Sequence, residues 1–216
     1  MGVVPELLRD GIFERCETEL IRSLLKPGQV FVDVGGNIGY YTLIAADIVG
    51  PTVKVYAFEP EPSNFAFLER NVEINGFRNI TLERFALSNT RESKRLFLNS
   101  TNSGGHHLYD AGEGEDSVSV ETIPLDEYLA GKECPVDLVK MDIEGFEPFA
   151  FQGMKKILSA NPGVRLLTEF FPSMMSTAGA SPGEYLLGLK RLGFSLRLVD
   201  EVHNVTKPVT EEEIFA

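Results

Sequence analysis

The sequence predicts an α/β fold: a mostly parallel sheet of about seven strands with helices on both faces. Three observations carry this reading. Short, nearly all-apolar runs recur along the chain, stretches with helical spacing separate them, and glycine or proline punctuates the joints. A strand that is apolar throughout belongs in a sheet covered on both faces, because a half-solvated strand would alternate.

Taken in order, residues 9–25 carry apolar positions at helical spacing (Ile12, Phe13, Leu20, Ile21, Leu24, Leu25) and stop at Lys26-Pro27-Gly28. They predict a short N-terminal helical cap over about residues 5–26. Residues 30–34 read as a strand and 38–49 as a helix, and Gly50-Pro51 breaks the chain before a strand at 53–58. Pro62 opens a helix that runs to about Asn75 and ends at Gly76. Residues 80–87 form a third strand. The pattern then changes to short strands at 95–98 and 117–123. Between them lies a Gly-, Ser- and acid-rich loop, 99–116, long enough to carry function. A short helix at 124–130, a strong strand at 136–142, a helix at 149–159 and a strand at 164–170 follow. A helix at 182–192, ended by Gly193, and strands at 194–199 and 205–209 complete the chain. No repeat or linker appears, so residues 1–216 read as one domain.

The bulk numbers exclude several classes. The 216 residues suffice for one sizeable core, and 43% hydrophobic residues with a mean hydropathy of −0.03 are those of a soluble domain. No apolar run could span a bilayer, and residues 1–10 show no secretory pattern, so a cytoplasmic location is expected. Cys16 and Cys134 have no metal-like spacing and read as buried thiols. A net charge of −12 repels nucleic-acid backbones. Arg91, Lys94 and Arg95, the densest basic group, read as a solvated strand edge.

The chemistry concentrates at Phe31-Val32-Asp33-Val34-Gly35-Gly36-Asn37-Ile38-Gly39, a strand, a glycine turn and a helix start. Glycines there let the backbone approach a ligand closely. The dinucleotide pattern G-x-G-x-x-G fails, because Gly35 and Gly39 are four apart, Asn37 replaces the middle glycine and position 40 is Tyr40. Asp33 would repel a pyrophosphate but suits a ligand with cationic groups. S-adenosylmethionine, which carries an ammonium and a sulfonium and no phosphate, fits better. Glu59 ends the next strand, placed to accept hydrogen bonds from both ribose hydroxyls. Pro60 could pack on the adenine from one side, and Phe85 and Ala86 from the other. Of Tyr40 and Tyr41, one is expected at the methyl site and the other in the core.

These residues bring a family resemblance into view. The run Asp33 to Thr42 resembles the first motif of FkbM-type methyltransferases. So do Ala57-Phe58-Glu59-Pro60, Ala86-Leu87-Ser88, Val120 to Asp126, Val139-Lys140-Met141-Asp142-Ile143-Glu144-Gly145-Phe146-Glu147, and Thr168-Glu169-Phe170-Phe171-Pro172. The resemblance covers roughly residues 11 to 200. It implies a class I methyltransferase sheet, seven strands in the order 3-2-1-4-5-7-6, with S-adenosylmethionine as methyl donor. It also implies O-methylation of a sugar or secondary-metabolite hydroxyl. The N-terminal extension is short, so a lid from that end is expected to be largely missing.

Ligands of open α/β sheets bind beyond the carboxyl ends of the strands. There Asp142, Glu144, Glu147 and Glu169 form an acidic rim, with Asp142 also facing the cofactor. Methyl transfer needs alignment of the acceptor oxygen and removal of its proton. The candidate bases are Asp142, Glu144 and His106. Glu147, Glu169 and His107 are candidate substrate contacts, and the loop carrying His106 and His107 could close over the site. A divalent metal held by Asp142 and Glu169 is the alternative means of acidifying the hydroxyl. Partners are then a small hydroxylated acceptor and no nucleic acid; oligomeric state is not legible. Competing functions are a nicotinamide oxidoreductase, disfavoured by the glycine spacing and Asp33, and a non-catalytic S-adenosylmethionine-binding protein, disfavoured by the intact rim. An N-methyltransferase is disfavoured because the Asn/Asp-Pro-Pro-aromatic motif is missing after the fourth strand.

Overall fold

A computed structural model describes residues 3–100, 102–110, 112, 116–132, 135–210 and 213–214. Cys134, part of the 99–116 loop and part of the acidic tail therefore lie outside the described residues. Ten strands alternate with nine helices among the described residues. The strands are β1 (Phe31–Val34), β2 (Val55–Phe58), β3 (Ile80–Glu83), β4 (Ala86–Leu87), β5 (Glu92–Phe97), β6 (Ser117–Ile123), β7 (Leu138–Met141), β8 (Arg165–Thr168), β9 (Arg197–Asp200) and β10 (Val205–Pro208). The helices are α1 (Val3–Asp10), α2 (Arg15–Leu24), α3 (Tyr40–Val49), α4 (Pro62–Asn75), α5 (Leu125–Tyr128), α6 (Glu147–Gln152), α7 (Lys155–Ala160), α8 (Pro172–Thr177) and α9 (Pro182–Arg191).

The central sheet is parallel, in the order β3-β2-β1-β7-β8. All residues of β1, β2 and β7 are buried, as their apolar runs require. One apolar cluster joins Val32, Val34, Phe58, Val139 and Met141 to α6, α7 and α9. The other joins Phe31, Val55 and Leu138 to α2 and α3. The chain passes from β1 outward to β2 and β3, then returns to β7 on the other side of β1. The carboxyl ends of β1 and β7 thus flank the topological switch point, where ligands of such sheets sit.

Several expectations need correction. The parallel sheet has five strands, not seven: β9 and β10 pair antiparallel with each other and form no ladder with β8. Apolar pattern announces that a strand exists but not which edge it joins. The hairpin is tied instead to α2, where both carboxylate oxygens of Glu201 accept from the exposed backbone N–H groups of Cys16 (3.0 Å) and Glu17 (2.6 Å). The expected third strand at 80–87 divides, and β4 joins a second sheet, β4-β6-β5, in which β6 runs parallel to β4 and antiparallel to β5. The expected 9–25 helix is two helices, broken at Gly11 with φ +70°. The 149–159 helix breaks at Gly153, where a Cβ would lie 1.9 Å from the Ser88 carbonyl oxygen. The short α8 occupies a stretch that reads as irregular. No described helix is long and apolar enough to cross a membrane.

Candidate active site

The glycine turn after β1 is shaped by backbone contact. Gly35 and Gly36 both donate to the Phe58 carbonyl at the end of β2, at 3.0 and 2.9 Å. Gly35 has φ +87°, and a Cβ there would stand 2.0 Å from the backbone oxygen of Asp142. The glycine therefore lets the ends of β1 and β7 close together. Asn37 follows with φ +47°, and its N–H donates to Glu59 Oε2 at 2.8 Å. Glu59 Oε1 accepts from the Glu61 N–H at 2.9 Å. The carboxylate at the end of β2 is thus fixed in orientation by two backbone donors. Burial nonetheless pushes its pKa up to about 7, against the lowering by those donors.

A cavity runs over these strand ends. At the end near Glu59 it is lined by Asn37, Glu59, Pro60, Phe85, Ala86 and the apolar Leu96 and Leu108. Its other end is lined by Glu14, Lys140, Asp142, Glu144 and Glu169. Lys140 is 3% exposed, and its Nζ stands 3.1 Å from Asp142 Oδ2, 3.6 Å from Glu17 Oε1 and 4.6 Å over the Tyr41 ring. Burial opposes its charge, but Asp142, Glu17, Asp33 and Glu14 together raise its pKa above the ordinary lysine value. Glu144 has φ +54°, and burial followed by the neighbouring Asp142 raises it to about 7. Glu169 is held well above the usual carboxylate range by burial first, then by the neighbouring Asp142. Glu14, with φ +40°, accepts from the Tyr41 hydroxyl at 2.8 Å, and burial, then Glu17, raises it to about 7. Three of the four described non-glycine residues in left-handed backbone, Glu14, Asn37 and Glu144, therefore line one cavity. Each such residue costs of order 1 kcal/mol, and strain of this kind gathers where function holds it.

Of the residues singled out by sequence, the cavity brings together Gly35, Asn37, Tyr40, Glu59, Pro60, Phe85, Ala86, His106, Asp142, Glu144 and Glu169. Four lie elsewhere. Asp33 is 2% exposed and beneath the cavity floor, where its Oδ2 accepts from the Thr42 hydroxyl at 2.5 Å. Gly39 caps α3 with φ +94°, and a Cβ there would press on Leu68 at 2.5 Å. Glu147 is 1% exposed, and its Oε1 accepts the Ile143 N–H at 3.0 Å, which makes it a brace for the turn rather than a substrate contact. His107 is buried, its ring stacked on Phe97 at 6.0 Å. His106 does reach the cavity, and its Nδ1 accepts the Asn99 N–H at 3.0 Å. The loop is docked on the site at Ser103, whose carbonyl oxygen accepts from Asn64 Nδ2 at 2.8 Å and from Asn37 Nδ2 at 3.4 Å.

Sequence reasoning missed Lys140, Glu14, Asn64 and the N-terminal wall. A lysine in the middle of a buried apolar strand was the available signal for the first. Val3, Phe13 and Glu14 line the cavity, so the N-terminal segment covers it despite its brevity. Tyr40 holds this segment, its hydroxyl accepting from the Phe13 N–H and the Thr18 hydroxyl at 3.2 Å each.

The donor set fits S-adenosylmethionine. Asn37 Oδ1 and Glu169 Oε2 are buried acceptors without a hydrogen-bond partner, and both belong to cavity-lining residues. A ligand rich in hydroxyl and ammonium donors satisfies them, whereas a pyrophosphate brings only acceptors. For a metal, no group of three or more His, Cys, Asp or Glu side chains among the described residues is arranged so that it could hold an ion.

Residues 33–196 match the methyltransferase FkbM domain family. The hexuronic acid methyltransferase AglP of Haloferax volcanii is 31% identical over 150 residues, 68% of this chain and 59% of that protein. The 31-O-demethyl-FK506 methyltransferase FkbM of Streptomyces tacrolimicus is 51% identical over 70 residues, 32% of this chain and 26% of that protein. The matches thus span less than two thirds of these relatives' length. The crystal structure of methyltransferase FkbM from Methylobacillus flagellatus superposes with a TM-score of 0.50 at 17% identity, covering 80% of this chain and 44% of that one, and shares the fold. Together with the glycine turn and the Glu59 cradle, the match over residues 33–196 shows that this chain belongs to the FkbM family of S-adenosylmethionine-dependent methyltransferases.

Proposed function

We propose that the chain transfers a methyl group to a hydroxyl oxygen of a small acceptor, a sugar or a secondary metabolite. The observation that carries this reading is the single cavity that joins the Glu59 cradle to the Asp142–Glu144–Glu169 group. The names of the relatives, one acting on a hexuronic acid and one on an O-demethyl compound, support the acceptor class.

When bound, S-adenosylmethionine supplies an electrophilic methyl carbon on a sulfonium leaving group. Glu59, held by the Asn37 and Glu61 N–H groups, accepts the two ribose hydroxyls. Phe85, Ala86 and Pro60 give the adenine apolar walls, while Asp142 and its neighbours give the cationic end a negative surroundings. Lys140 holds Asp142 in place from beneath. With bound S-adenosylmethionine supplying the methyl carbon, the hydroxyl proton of the acceptor would go to Glu144. Its pKa of about 7 matches a base working near neutrality. The products are a methyl ether, S-adenosylhomocysteine and the proton on Glu144. Phe13 and residues 102–104 form part of the cavity wall.

Incubation with methyl-labelled S-adenosylmethionine and a panel of glycosides and polyols tests this. Labelled methyl ether and S-adenosylhomocysteine in equal amounts are expected. Oxidation of the acceptor with NAD, or methylation confined to amines, would replace the reading.

A further inference from the structure

A second cavity adjoins the one over the strand ends at Glu14 and Glu169. Of about 480 Å³, it opens where the central sheet ends, between β8, α9 and the β9–β10 hairpin. It has the size of a small-molecule site. Glu14 and Glu169 line both cavities, so the two meet at the carboxyl group placed at the methyl-transfer end. The walls of the second cavity are largely apolar, from Leu166, Phe170, Leu186, Leu189, Phe194 and Leu196. At the junction Glu169 Oε2 is buried without a hydrogen-bond partner, an acceptor in want of a donor.

The charge of the first cavity restricts what enters. Five of its lining side chains are carboxylic: Glu14, Glu59, Asp142, Glu144 and Glu169. Lys140 is the one lysine or arginine among them, and it is engaged by Asp142 and Glu17. The second cavity adds Arg197, an exposed side chain that donates to the Thr206 carbonyl at 3.0 Å. An acceptor bringing its own carboxylate would be desolvated beside like charges, which penalises it against a neutral isostere.

Resting on the methyl-transfer reading above, we propose that the acceptor is an uncharged amphipathic alcohol, its hydroxyl end seated at Glu169 and Asp142 and its apolar body in the second cavity. This sets the chain apart from a relative named for a hexuronic acid.

The test is calorimetry on the full chain, first saturated with S-adenosylhomocysteine and then titrated at pH 8 with three glycosides below their micelle concentrations. Octyl β-glucoside is expected to bind at least tenfold more tightly than octyl β-glucuronide. It should bind at least a hundredfold more tightly than ethyl β-glucoside, since each buried methylene is worth roughly fourfold. An octyl glucoside with a diazirine at the tail end should label the peptides carrying Leu166, Leu186, Leu189 or Phe194. Equal or tighter binding of the glucuronide overturns the proposal. So does equal binding of the ethyl and octyl glucosides, binding of none of the three, or labelling confined to other peptides. If S-adenosylhomocysteine itself gives no heat in the first titration, the methyl-transfer reading fails instead.

Discussion

Replacing Lys140 by Met removes the positive charge on which the buried end of the site depends. Its Nζ is 3.1 Å from Asp142 and 3.6 Å from Glu17, and the side chain is almost wholly buried. Deleting one partner of a buried ion pair costs about 3–5 kcal/mol, because the other is left uncompensated. In a chain of this length 1 kcal/mol moves Tm by roughly 2–4 °C, so Lys140→Met should lower Tm by roughly 6–20 °C. The loss has a definite pH dependence. Without the lysine the surrounding carboxyls gain proton affinity in the folded state. A folded pKa above the unfolded one contributes stability that is present at low pH and is lost as pH rises through the folded value. The variant's deficit should therefore be small at pH 5 and full at pH 8. Scanning calorimetry of wild type, Lys140→Met and Lys140→Arg across this range reads it out, with Lys140→Arg intermediate because it keeps the charge but not the shape. A deficit below about 2 °C at pH 8, or one that does not change with pH, would refute the role of Lys140 as counter-ion.

Glu59→Gln turns an amide NH2 donor toward one of the two backbone N–H donors that its carboxylate oxygens now accept, and removes the charge facing the ribose. S-adenosylhomocysteine affinity by calorimetry should fall about tenfold or more, and an unchanged Kd would remove Glu59 from the cofactor site. Glu144→Gln should lower kcat by about 10²–10⁴ while leaving cofactor Kd within a few-fold; full turnover would mean another group takes the proton. Glu14, Glu59, Glu144 and Glu147 are each raised by burial to about 7 from an ordinary 4.5. Stability from these groups is present below about pH 4.5 and lost as pH rises through about 7. The ligand-free protein should accordingly melt higher at pH 5.5 than at pH 8, and a melting temperature that climbs over that interval would contradict the assignment. Gly35→Ala drives a methyl into the Asp142 carbonyl and should abolish cofactor binding together with most of the stability; a well-folded, binding-competent variant would show that the two strand ends need not touch.

The half of the fold that builds the β1 and β2 strand ends was legible because its signals are local. Strands buried on both faces are largely apolar, so β1, β2 and β7 announce themselves despite Asp33 and Lys140. The carboxylate of Glu59 at the end of an apolar run and the glycine after β1 are local signals too. What failed was whatever depends on where a polar side chain turns once the chain has folded, at short or long range. Glu147 reads as part of an exposed rim, yet folding back to the Ile143 N–H buries it. Asp33 reads as a ligand contact, yet Thr42, one helical turn into α3, takes its carboxylate below the floor. Lys140 makes sense only once Glu17 has been brought to it from α2, 123 residues away by sequence. The hairpin β9–β10 has strand-like sequence, and nothing local dictates that it should leave the edge of β8 unpaired. The break at Gly11 was hidden because apolar spacing continues through it.

The most direct test is a crystal structure of the full chain with S-adenosylhomocysteine. The ribose hydroxyls should lie within hydrogen-bonding distance of Glu59, the adenine should contact Phe85 and Ala86, and the thioether sulfur should face Asp142, Glu144 and Glu169. A nucleoside bound away from the β1 and β2 ends, or a sulfur turned from those three carboxyl groups, would contradict the account.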